Sequence, residues 1–483
     1  MSSAAPGPEL DRLPAIAASL RDAATRHGTP LYLTDAPTIA AATAELGAAF
    51  PDPWIRQYSV KANDVAAVIG LATGPPGGLG ANVVSRGEWA AARKAGLPNG
   101  RISLEGIGKT DADLDAAVRS VRSGDPLRWV AIESGDEAEA LEIRALRAGL
   151  GRYGRPPIDV LFRLNPDVTP ETQAALAVGV GGSKFGMTET ELTATVERLA
   201  SSGGAVRPRG IHLHVGSQLG AVDAWRDAVR RGLAVLGLVR GSLSAFDTID
   251  VGGGFAVLPL GEPGPRPERF AREVPALLET IPADRRPDRF AIEPGRFVVA
   301  RAGWLVARVL HVRERGGRQV IIDAGMTELI RPALYGGIHP IVALTSLGMP
   351  IDHGPAPDLS DRDAGPPRAD AEPSRAMAEP AVQLEPSVQL EPPRTIDGRP
   401  LAVEPPDLPD TVHGPICEST DALGEHDLPP LRRGDLVAIR DAGAYAASLS
   451  STYNGRPRPP QVILTIDGRL VLARRRGSVA ALG

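Results

Sequence analysis

Short apolar segments alternate with segments of helical period along about 250 residues of this chain, and this alternation restricts the possible folds more than any other feature. Each apolar segment has the length of a strand and ends in a polar or glycine-containing turn. The candidate strands are Ile55–Val60, Leu79–Val84, Arg101–Leu104, Trp129–Ile132, Asp159–Leu164, Gly210–His214, Thr248–Val251 and Arg289–Ile292. The candidate helices between them include Arg86–Ala95, Asp111–Val121, Asp136–Ala148, Glu189–Leu199, Trp225–Val239 and Glu268–Thr280. This pattern predicts a (β/α)8 barrel of the TIM type, and a doubly wound open sheet is the alternative.

The residues that follow the candidate strands favour the barrel over the open sheet. They are Lys61, Ser85, Asn165, His214, the triplet Gly252, Gly253 and Gly254, and Glu293. Barrel enzymes build their active sites at the carboxyl ends of the strands, and many bind phosphate in the loops after strands seven and eight. The sequences DVGGGF (250–255) and EPGR (293–296) occupy those two loops. Consecutive glycines let backbone N–H groups face an anion, although a lone glycine triplet is more often a tight turn.

Lys61 lies in YSVKAND (58–64), where a buried strand ends and a polar turn begins. The chain has 53 basic residues, yet its lysines are confined to Lys61, Lys94, Lys109 and Lys184. Arginine does not lose its proton, whereas a partly desolvated lysine amine can form an imine with a carbonyl group. Lys61 is therefore a candidate for covalent attachment of a carbonyl compound, and a solvated lysine in a turn is the alternative.

The charge balance and the cysteine content narrow the class of protein. The 53 basic and 58 acidic residues give a formal net charge of −5, which argues against binding to nucleic acid or to a membrane surface. Cys417 is the only cysteine, so no intrachain disulfide can form and a reducing compartment is expected. The first residues lack an export signal and no apolar run reaches membrane-spanning length, so we expect a cytoplasmic protein.

The pattern changes after Val298 to short β runs, Leu305–Val312 and Val320–Asp323, which predict a second, β-rich domain. A segment rich in Pro, Ala, Asp and Glu, 346–410, interrupts this domain and contains the tandem AVQLEP-SVQLEP (381–392). Because the segment has no apolar periodicity, we expect a disordered surface insertion, with a docking motif in the repeat as the alternative.

A series of motifs resembles the fold-type III pyridoxal-phosphate decarboxylases, and within them the diaminopimelate decarboxylases. The motifs are YSVKAND, ANVVSRGEW (81–89), EGIGKT (105–110), SKFG (183–186), HLHVGSQ (212–218), DVGGGF, EPGR, DAGMTELIRPALYGG (323–337), GPICES (414–419) and DAGAY (441–445). The resemblance covers the chain from about Gly28 to Arg474 except for the insertion. It implies an alanine-racemase-like barrel over 35–298 and a β-rich domain, a β-barrel or sandwich, formed by both chain ends (1–34 plus 299–483).

The chain departs from the family pattern at three places. Ser59 stands where the family often has alanine, and Val178-Gly179 stands where it has a Thr-Gly pair. Both are tolerable variations near the barrel rim. The insertion is much longer than the short connection of the family, so it leaves the local structure between Thr345 and Val412 open.

The resemblance implies pyridoxal 5'-phosphate as the cofactor, which performs the difficult chemistry while the protein holds and polarises it. Lys61 is then the residue that binds the cofactor covalently, and Glu293 is the carboxylate that keeps the pyridine nitrogen protonated. His214 is expected to stack on the ring, with His212 in a supporting role. The other cofactor-binding residues that the resemblance implies are Ser217, Gly252, Gly253, Gly254, Gly295, Arg296 and Tyr445.

The same resemblance implies the residues that contact the substrate. Those expected to bind its distal half are Arg296, Arg331 and Tyr335 for the carboxylate, Glu418 for the ammonium group, and Tyr445. Cys417 is the acid expected to return a proton to the decarboxylated carbon. Cys417 and Glu418 come from the neighbouring subunit in this family, so a homodimer with shared active sites is expected. No metal is expected.

The reaction implied is decarboxylation of meso-2,6-diaminopimelate at its D-centre to L-lysine and CO2, the last step of lysine biosynthesis by the diaminopimelate pathway. An ornithine- or arginine-type decarboxylase of the same fold is one alternative, but it needs no clamp for a distal carboxylate. A decarboxylase of another amino acid in specialised metabolism is a second. A cofactor-binding regulatory protein without catalysis is a third, and the presence of Lys61 and Cys417 argues against it.

Overall fold

The computed structural model describes residues 8–152, 154–170, 172, 179–180, 182–258, 264–344 and 409–481. The predicted insertion lies outside these ranges except for its last two residues, and so does Val178. The chain begins with helix α1 (Pro8–His27), strand β1 (Leu31–Asp35) and helix α2 (Ala36–Ala49). Asp35 caps α2 by accepting a hydrogen bond from the backbone N–H of Thr38.

In the described part of the chain, eight parallel strands close into a barrel in sequence order. They are β2 (Ile55–Ser59), β3 (Gly80–Val83), β4 (Ile102–Leu104), β5 (Trp129–Ile132), β6 (Ile158–Arg163), β7 (Val206–His212), β8 (Thr248–Asp250) and β9 (Arg289–Ile292). The helices of this region are α3 (Ala66–Thr73), α4 (Arg86–Lys94), α5 (Asp111–Arg122), α6 (Gly135–Arg147), α7 (Glu189–Ser201), α8 (Asp223–Arg240), α9 (Pro267–Ala271), α10 (Val274–Glu279) and α11 (Arg296–Val299). Because β2 pairs with β9, the sheet has no edge, and the barrel prediction is confirmed over the open sheet.

Most predicted elements agree with the structure to within one or two residues, but two differ more strongly. Strand β7 begins earlier, at Val206, and ends at His212, so His214 lies in the following loop. The single predicted helix over 268–280 is wrong, because α9 and α10 are separate. Pro275 lies in the first turn of α10, where its missing N–H and fixed φ suit the start of a helix but not its interior.

Serine and threonine side chains cap the N-termini of the barrel helices α4 to α7. Ser85, Thr110, Ser134 and Thr188 each accept a hydrogen bond from the backbone N–H three residues later. A cap of this kind stabilises a helix by about 1 kcal/mol. The caps fix the chain direction just after the strand ends, which is where a barrel places its functional loops.

Both ends of the chain contribute to a second, mixed sheet, which has nine strands in the described residues. Its members are β1 with β10 (Gly303–Glu314), β11 (Arg318–Ile322), β12 (Ile341–Leu344), β13 (Asp410–His413), β14 (Ala422–His426), β15 (Leu436–Ile439), β16 (Gln461–Leu464) and β17 (Leu470–Arg474). The main strand order is β14-β13-β11-β10-β1-β16-β17, and β15 pairs with β10 and β12. Strand β1 runs antiparallel to β10 and parallel to β16, so the prediction of a β-rich domain built from both chain ends is confirmed.

Helix α1 belongs to this second domain. Its residues Ile16 and Leu20 share a buried apolar cluster with Trp304 of β10 and Val462 of β16. A short helix, α12 (Arg331–Tyr335), lies between β11 and β12. Among the described residues, no helix combines the length and the apolar character that crossing a membrane requires.

Candidate active site

A cavity of about 420 Å³ opens at the carboxyl end of the barrel, where strand-end loops meet loops of the sheet domain. The residues singled out from the sequence that line it are Lys61, His214, Ser217, Gly254, Glu293, Gly295, Arg296, Arg331, Tyr335 and Tyr445, with His212 beside them. Sequence reasoning assigned no role to several other lining residues, among them Glu105, Arg163 and Phe185. Gly252, Gly253, Cys417 and Glu418 do not line the cavity.

Lys61 lies in a single 3-10 turn, Val60–Ala62, directly after β2, and is half-buried. Two hydrogen bonds hold the sheet domain against this turn. The Tyr445 N–H donates to the Ala62 carbonyl (2.8 Å), and Asn63 Nδ2 donates to the carbonyl of Gly443 (3.0 Å). The amine of Lys61 is therefore presented at the junction of the two domains, in a position that both of them determine.

The glycine triplet packs too closely against its neighbours for any side chain. A Cβ at Gly253 would lie 2.3 Å from the Glu293 carbonyl oxygen. The Gly253 N–H donates to His214 Nδ1 (3.4 Å), and the Gly252 N–H donates to Oδ1 of Asp250, the last residue of β8 (3.0 Å). Burial lowers the pKa of His214 well below its ordinary value, which leaves Nδ1 free to accept. Only Gly254 of the triplet reaches the cavity, while the other two glycines bring β8, β9 and His214 together.

Arg296 supplies a buried positive charge on one side of the cavity. Its Nε and Nη2 donate to Ser217 Oγ at 3.3 and 3.2 Å, and its Cζ lies 4.7 Å from the centroid of the Tyr445 ring. Its Nη1 has no hydrogen-bond partner among the described residues. Burial lowers the pKa of Arg296, and only phenols, not carboxylates, oppose this effect. A buried guanidinium with an unused donor is a site for an anion.

Arg331, in α12, adds a second positive charge to the cavity. Burial and the neighbouring Arg296 lower the pKa of Arg331 to about 10. Its Nη1 lies 3.3 Å from Nε2 of the buried His339, whose Nδ1 lies 3.0 Å from the Arg440 carbonyl oxygen. A carbonyl only accepts, so Nδ1 carries the hydrogen and Nε2 accepts from Arg331. Neither Arg296 nor Arg331 forms an ion pair with a carboxylate in the described part of the chain, so these two arginines suit a carboxylate brought by a ligand.

Three acid–base side chains meet inside the barrel mouth. Atoms of Glu105, His212 and Glu293 lie within 4.8 Å of one another, and Asn82 Nδ2 donates to Glu293 Oε1. Burial lowers the pKa of His212 to about 4 and raises the pKa of Glu105 to about 8. Glu105 follows β4 as directly as Glu293 follows β9, so the strand-end rule applied to EGIGKT would have found it.

The Cys417 loop lies apart from the cavity of its own chain. Cys417 is exposed, and Glu418 Oε1 accepts a hydrogen bond from Tyr453 Oη (2.6 Å). The carboxylate of Asp421 holds the loop by accepting from the backbone N–H of Ile416 (2.7 Å). These two candidate residues therefore face outward in a single chain, on a loop with a defined anchor.

Two of the strand-end residues serve their own loops. Ser85 Oγ accepts from the Glu88 N–H (3.2 Å) as the cap of α4, and Asn165 Nδ2 donates to the Val180 carbonyl (3.1 Å). Neither lines the cavity.

Comparison with known proteins adds sequence evidence to this geometry. Residues 37–300 match the model of the pyridoxal-dependent decarboxylase pyridoxal-binding domain, and residues 384–443 match its C-terminal sheet domain. The diaminopimelate decarboxylase of Aquifex aeolicus is 30% identical over 95% of this chain and 91% of that protein. The one from Deinococcus radiodurans is 32% identical over 95% of this chain and 96% of that protein. The crystal structure of diaminopimelate decarboxylase from Helicobacter pylori complexed with L-lysine superposes with a TM-score of 0.75 at 26% identity, over 96% of this chain and 98% of that one.

Proposed function

Because this chain belongs to the pyridoxal-dependent decarboxylases, and among them to the diaminopimelate decarboxylase family, we propose that it converts meso-2,6-diaminopimelate into L-lysine and CO2 by removing the D-centre carboxyl group. This is the last step of lysine biosynthesis by the diaminopimelate pathway. The observation that carries the proposal is the presence of Arg296 and Arg331 in the same cavity as Lys61. A substrate with a second carboxylate supplies the anion that these two cations lack.

The cavity has the groups that pyridoxal phosphate requires. When bound, this cofactor takes up the electron pair that the departing CO2 leaves. Lys61 would hold it covalently, and Glu293, as a carboxylate, would keep the proton on its ring nitrogen. The neutral imidazole of His214 can pack against the ring without adding positive charge. Ser217, Gly254, Gly295, Arg296 and Tyr445 are the other cavity residues proposed to bind the cofactor, with Gly252 and Gly253 behind them.

Arg296 and Arg331, together with the phenol of Tyr335 and with Tyr445, would bind the distal half of the substrate through its carboxylate. The same two positive charges would repel the distal ammonium group of ornithine or the guanidinium of arginine. The ornithine- or arginine-type alternative is therefore less well supported than diaminopimelate.

We further propose a homodimer in which each subunit supplies Cys417 and Glu418 to the cavity of the other. Cys417 would return a proton to the reacting carbon, and Glu418 would bind the distal ammonium group. The proposal is supported by the outward position of both residues and by exposed apolar side chains near the cavity, Leu334, Ile338 and Leu449. An exposed apolar patch of this kind is typical of a surface that another chain covers.

Two smaller proposals come from the sequence. We place the domain boundaries at residues 35 and 298, with 1–34 and 299–483 in the sheet domain. We also propose a cytoplasmic location, which the single cysteine supports.

The substrate is tested by measuring CO2 release from meso-diaminopimelate, L-lysine, L-ornithine and L-arginine. We expect release from meso-diaminopimelate alone, and none from a Lys61→Ala variant. An Arg331→Met variant should raise KM for diaminopimelate, since it removes one charge from the distal site. Comparable kcat/KM with ornithine or arginine would contradict the proposal.

The shared site is tested by mixing a Lys61→Ala protein with a Cys417→Ala protein. Each variant alone should be nearly inactive. Lys61→Ala loses the covalent attachment of the cofactor, and Cys417→Ala loses proton transfer by a positioned acid, which is typically worth about 10²–10⁴ in rate. In a mixed dimer one of the two sites receives both intact residues. Random exchange should then restore roughly a quarter of wild-type turnover, by counting sites under two-fold symmetry. Mixtures that stay inactive despite proven subunit exchange would place both residues in one subunit.

A further inference from the structure

Five buried polar side chains fill the interior of the barrel at the bottom of the cavity, and three of them line it. Asn82, Glu105, His212, Asp250 and Glu293 come from, or directly follow, five different strands, and each is almost completely buried. Glu105 Oε2 and Glu293 Oε2 lie 3.3 and 3.4 Å from the same nitrogen, His212 Nε2. The proposed function uses Glu293 but assigns no task to Glu105 or Asp250.

The charges around this cluster limit how many of its three carboxyl groups can be ionised. Arg163 already forms an ion pair with Glu133 (2.8 Å), and Lys61 faces the cavity. His212 is neutral at pH 7, because burial lowers its pKa to about 4. Closely spaced carboxyl groups without a cation share protons instead of all ionising. Burial, together with the charge of Glu293, raises the pKa of Glu105 to about 8.

The hydrogen-bond donors of the cluster are arranged differently around Glu105 and Glu293. Asn82 Nδ2 donates to Glu293 Oε1, whereas His212 Nε2 lies about equally far from Glu105 Oε2 and Glu293 Oε2 and hydrogen-bonds to neither. Ser103 Oγ donates to Glu105 Oε1 (3.4 Å), which leaves Glu105 Oε2, the oxygen beside His212 Nε2, to carry the proton. Side-chain atoms of Glu105 and Glu293 lie within 4.8 Å of each other, with His212 beside both.

We propose that Glu105 is a positioning residue that stays protonated and donates its carboxyl hydrogen to Glu293, so that Glu293 is the carboxylate ion that faces the cavity. A hydrogen bond donated to a carboxylate stabilises its negative charge, and a negative carboxylate beside a ring nitrogen favours a proton on that nitrogen. Burial raises the pKa of Asp250 as well, but Asp250 accepts from the Gly252 N–H and does not line the cavity. The consequence for the cofactor rests on the proposed function, whereas the protonation of Glu105 does not.

Two substitutions at Glu105 test whether this position needs a hydrogen-bond donor or a negative charge. Glu105→Gln keeps a hydrogen-bond donor of similar size and cannot ionise, whereas Glu105→Leu removes the donor. Glu328→Gln is the matched control, because Glu328 is also a buried carboxyl group with a raised pKa but lies in the sheet domain. At pH 7, pyridoxal phosphate should bind Glu105→Leu roughly 3- to 10-fold more weakly than wild type, the effect of one hydrogen bond. Its kcat should fall with KM unchanged, and Glu105→Gln should keep most of both properties.

The apoprotein gives a readout that needs neither cofactor nor turnover. Its infrared spectrum at pH 7 should contain carbonyl bands of protonated carboxyl groups, and Glu105→Gln should remove one of them while leaving the others. The unfolding midpoint should also respond to pH. The pKa of Glu105 is about 8 in the folded state, against 4.5 for an unperturbed glutamate, so wild type should lose stability relative to Glu105→Gln as pH rises from 4.5 to about 8.

Three results would overturn the proposal. The first is a Glu105→Gln variant as impaired as Glu105→Leu, which would mean that an ionised carboxylate is needed. The second is an apoprotein whose carboxyl bands and stability profile do not change with Glu105→Gln. The third is one equivalent of a divalent metal in the purified protein that Glu105→Gln removes, since Glu105, His212 and Glu293 have the spacing of metal ligands. If wild type releases no CO2 from any amino acid, the proposed function fails while the apoprotein measurements still decide the state of Glu105.

Discussion

His339 offers a test of the distal substrate site that does not alter any residue proposed to contact the substrate. The side chain is buried, donates from Nδ1 to the Arg440 carbonyl, and accepts at Nε2 from Arg331 Nη1. Burial lowers the pKa of His339 to about 4, so it is a neutral acceptor at pH 7. His339→Leu removes this acceptor and leaves Arg331 Nη1 without its hydrogen bond to His339.

The expected magnitude comes from the single hydrogen bond that is lost. A hydrogen bond to a charged group contributes about 1.5–3 kcal/mol, which corresponds to roughly 10- to 150-fold in affinity. The loss should appear only for ligands that carry the distal carboxylate. L-Lysine, the proposed product, keeps that carboxylate, whereas cadaverine lacks it. The inhibition constant of L-lysine should therefore rise by this factor in His339→Leu, while that of cadaverine stays within about 3-fold.

The control is His426→Leu. His426 also bonds to a backbone carbonyl, that of Leu423 (3.0 Å), and burial also lowers its pKa, but it lies in β14 and does not line the cavity. Both inhibition constants should stay close to wild type in this variant. If His339→Leu weakened L-lysine and cadaverine equally, or left both unchanged, His339 would not position Arg331 for a carboxylate.

Three further predictions concern other parts of the molecule. Gly253→Ala should lose cofactor binding and about 1–3 kcal/mol of stability, because its Cβ would lie 2.3 Å from a carbonyl oxygen, whereas Gly100→Ala, with open space around its Cβ, should not. Cofactor titration and thermal unfolding of both variants check this. Both carboxylate oxygens of Asp421 accept hydrogen bonds from backbone N–H groups, and Asp421→Asn replaces one of these acceptors with an NH2 donor. The Cys417 loop should then be held less firmly and turnover should fall. The rate at which an alkylating reagent modifies the Cys417 thiol checks the change in the loop. The thermal unfolding midpoint should fall as pH decreases from 6.5 to 4. In this range the histidines of the unfolded chain take up protons, whereas the buried imidazoles of His212 and His339, with pKa values of about 4, do not. The fall should be smaller in His339→Leu, which has one such imidazole fewer.

Much of the barrel and part of its site could be predicted without coordinates. The alternation of strand and helix segments depends on local periodicity, which each stretch of sequence carries by itself. Parallel strands bring their carboxyl ends to one edge, so Lys61, His214 and Glu293 could be expected to meet from their positions alone. The same rule also selected Ser85 and Asn165, which cap a helix and hold a loop. Local position therefore identifies candidates but does not separate those that face the cavity from those that do not.

Tertiary structure alone decided the partners of these residues. Strand β1 lies between β10 and β16, which are far from it in sequence and from each other, and no local pattern specifies that order. The docking of Tyr445 on the Lys61 turn and the bond between His339 and Arg331 depend on this arrangement. The cluster of Glu105, His212 and Glu293 depends on barrel closure, which turns the ends of three strands toward one interior point. The proposed protonation of Glu105 depends on this cluster, because the proton affinity of a buried carboxyl group is set by the charges and donors that the fold brings within a few ångströms of it.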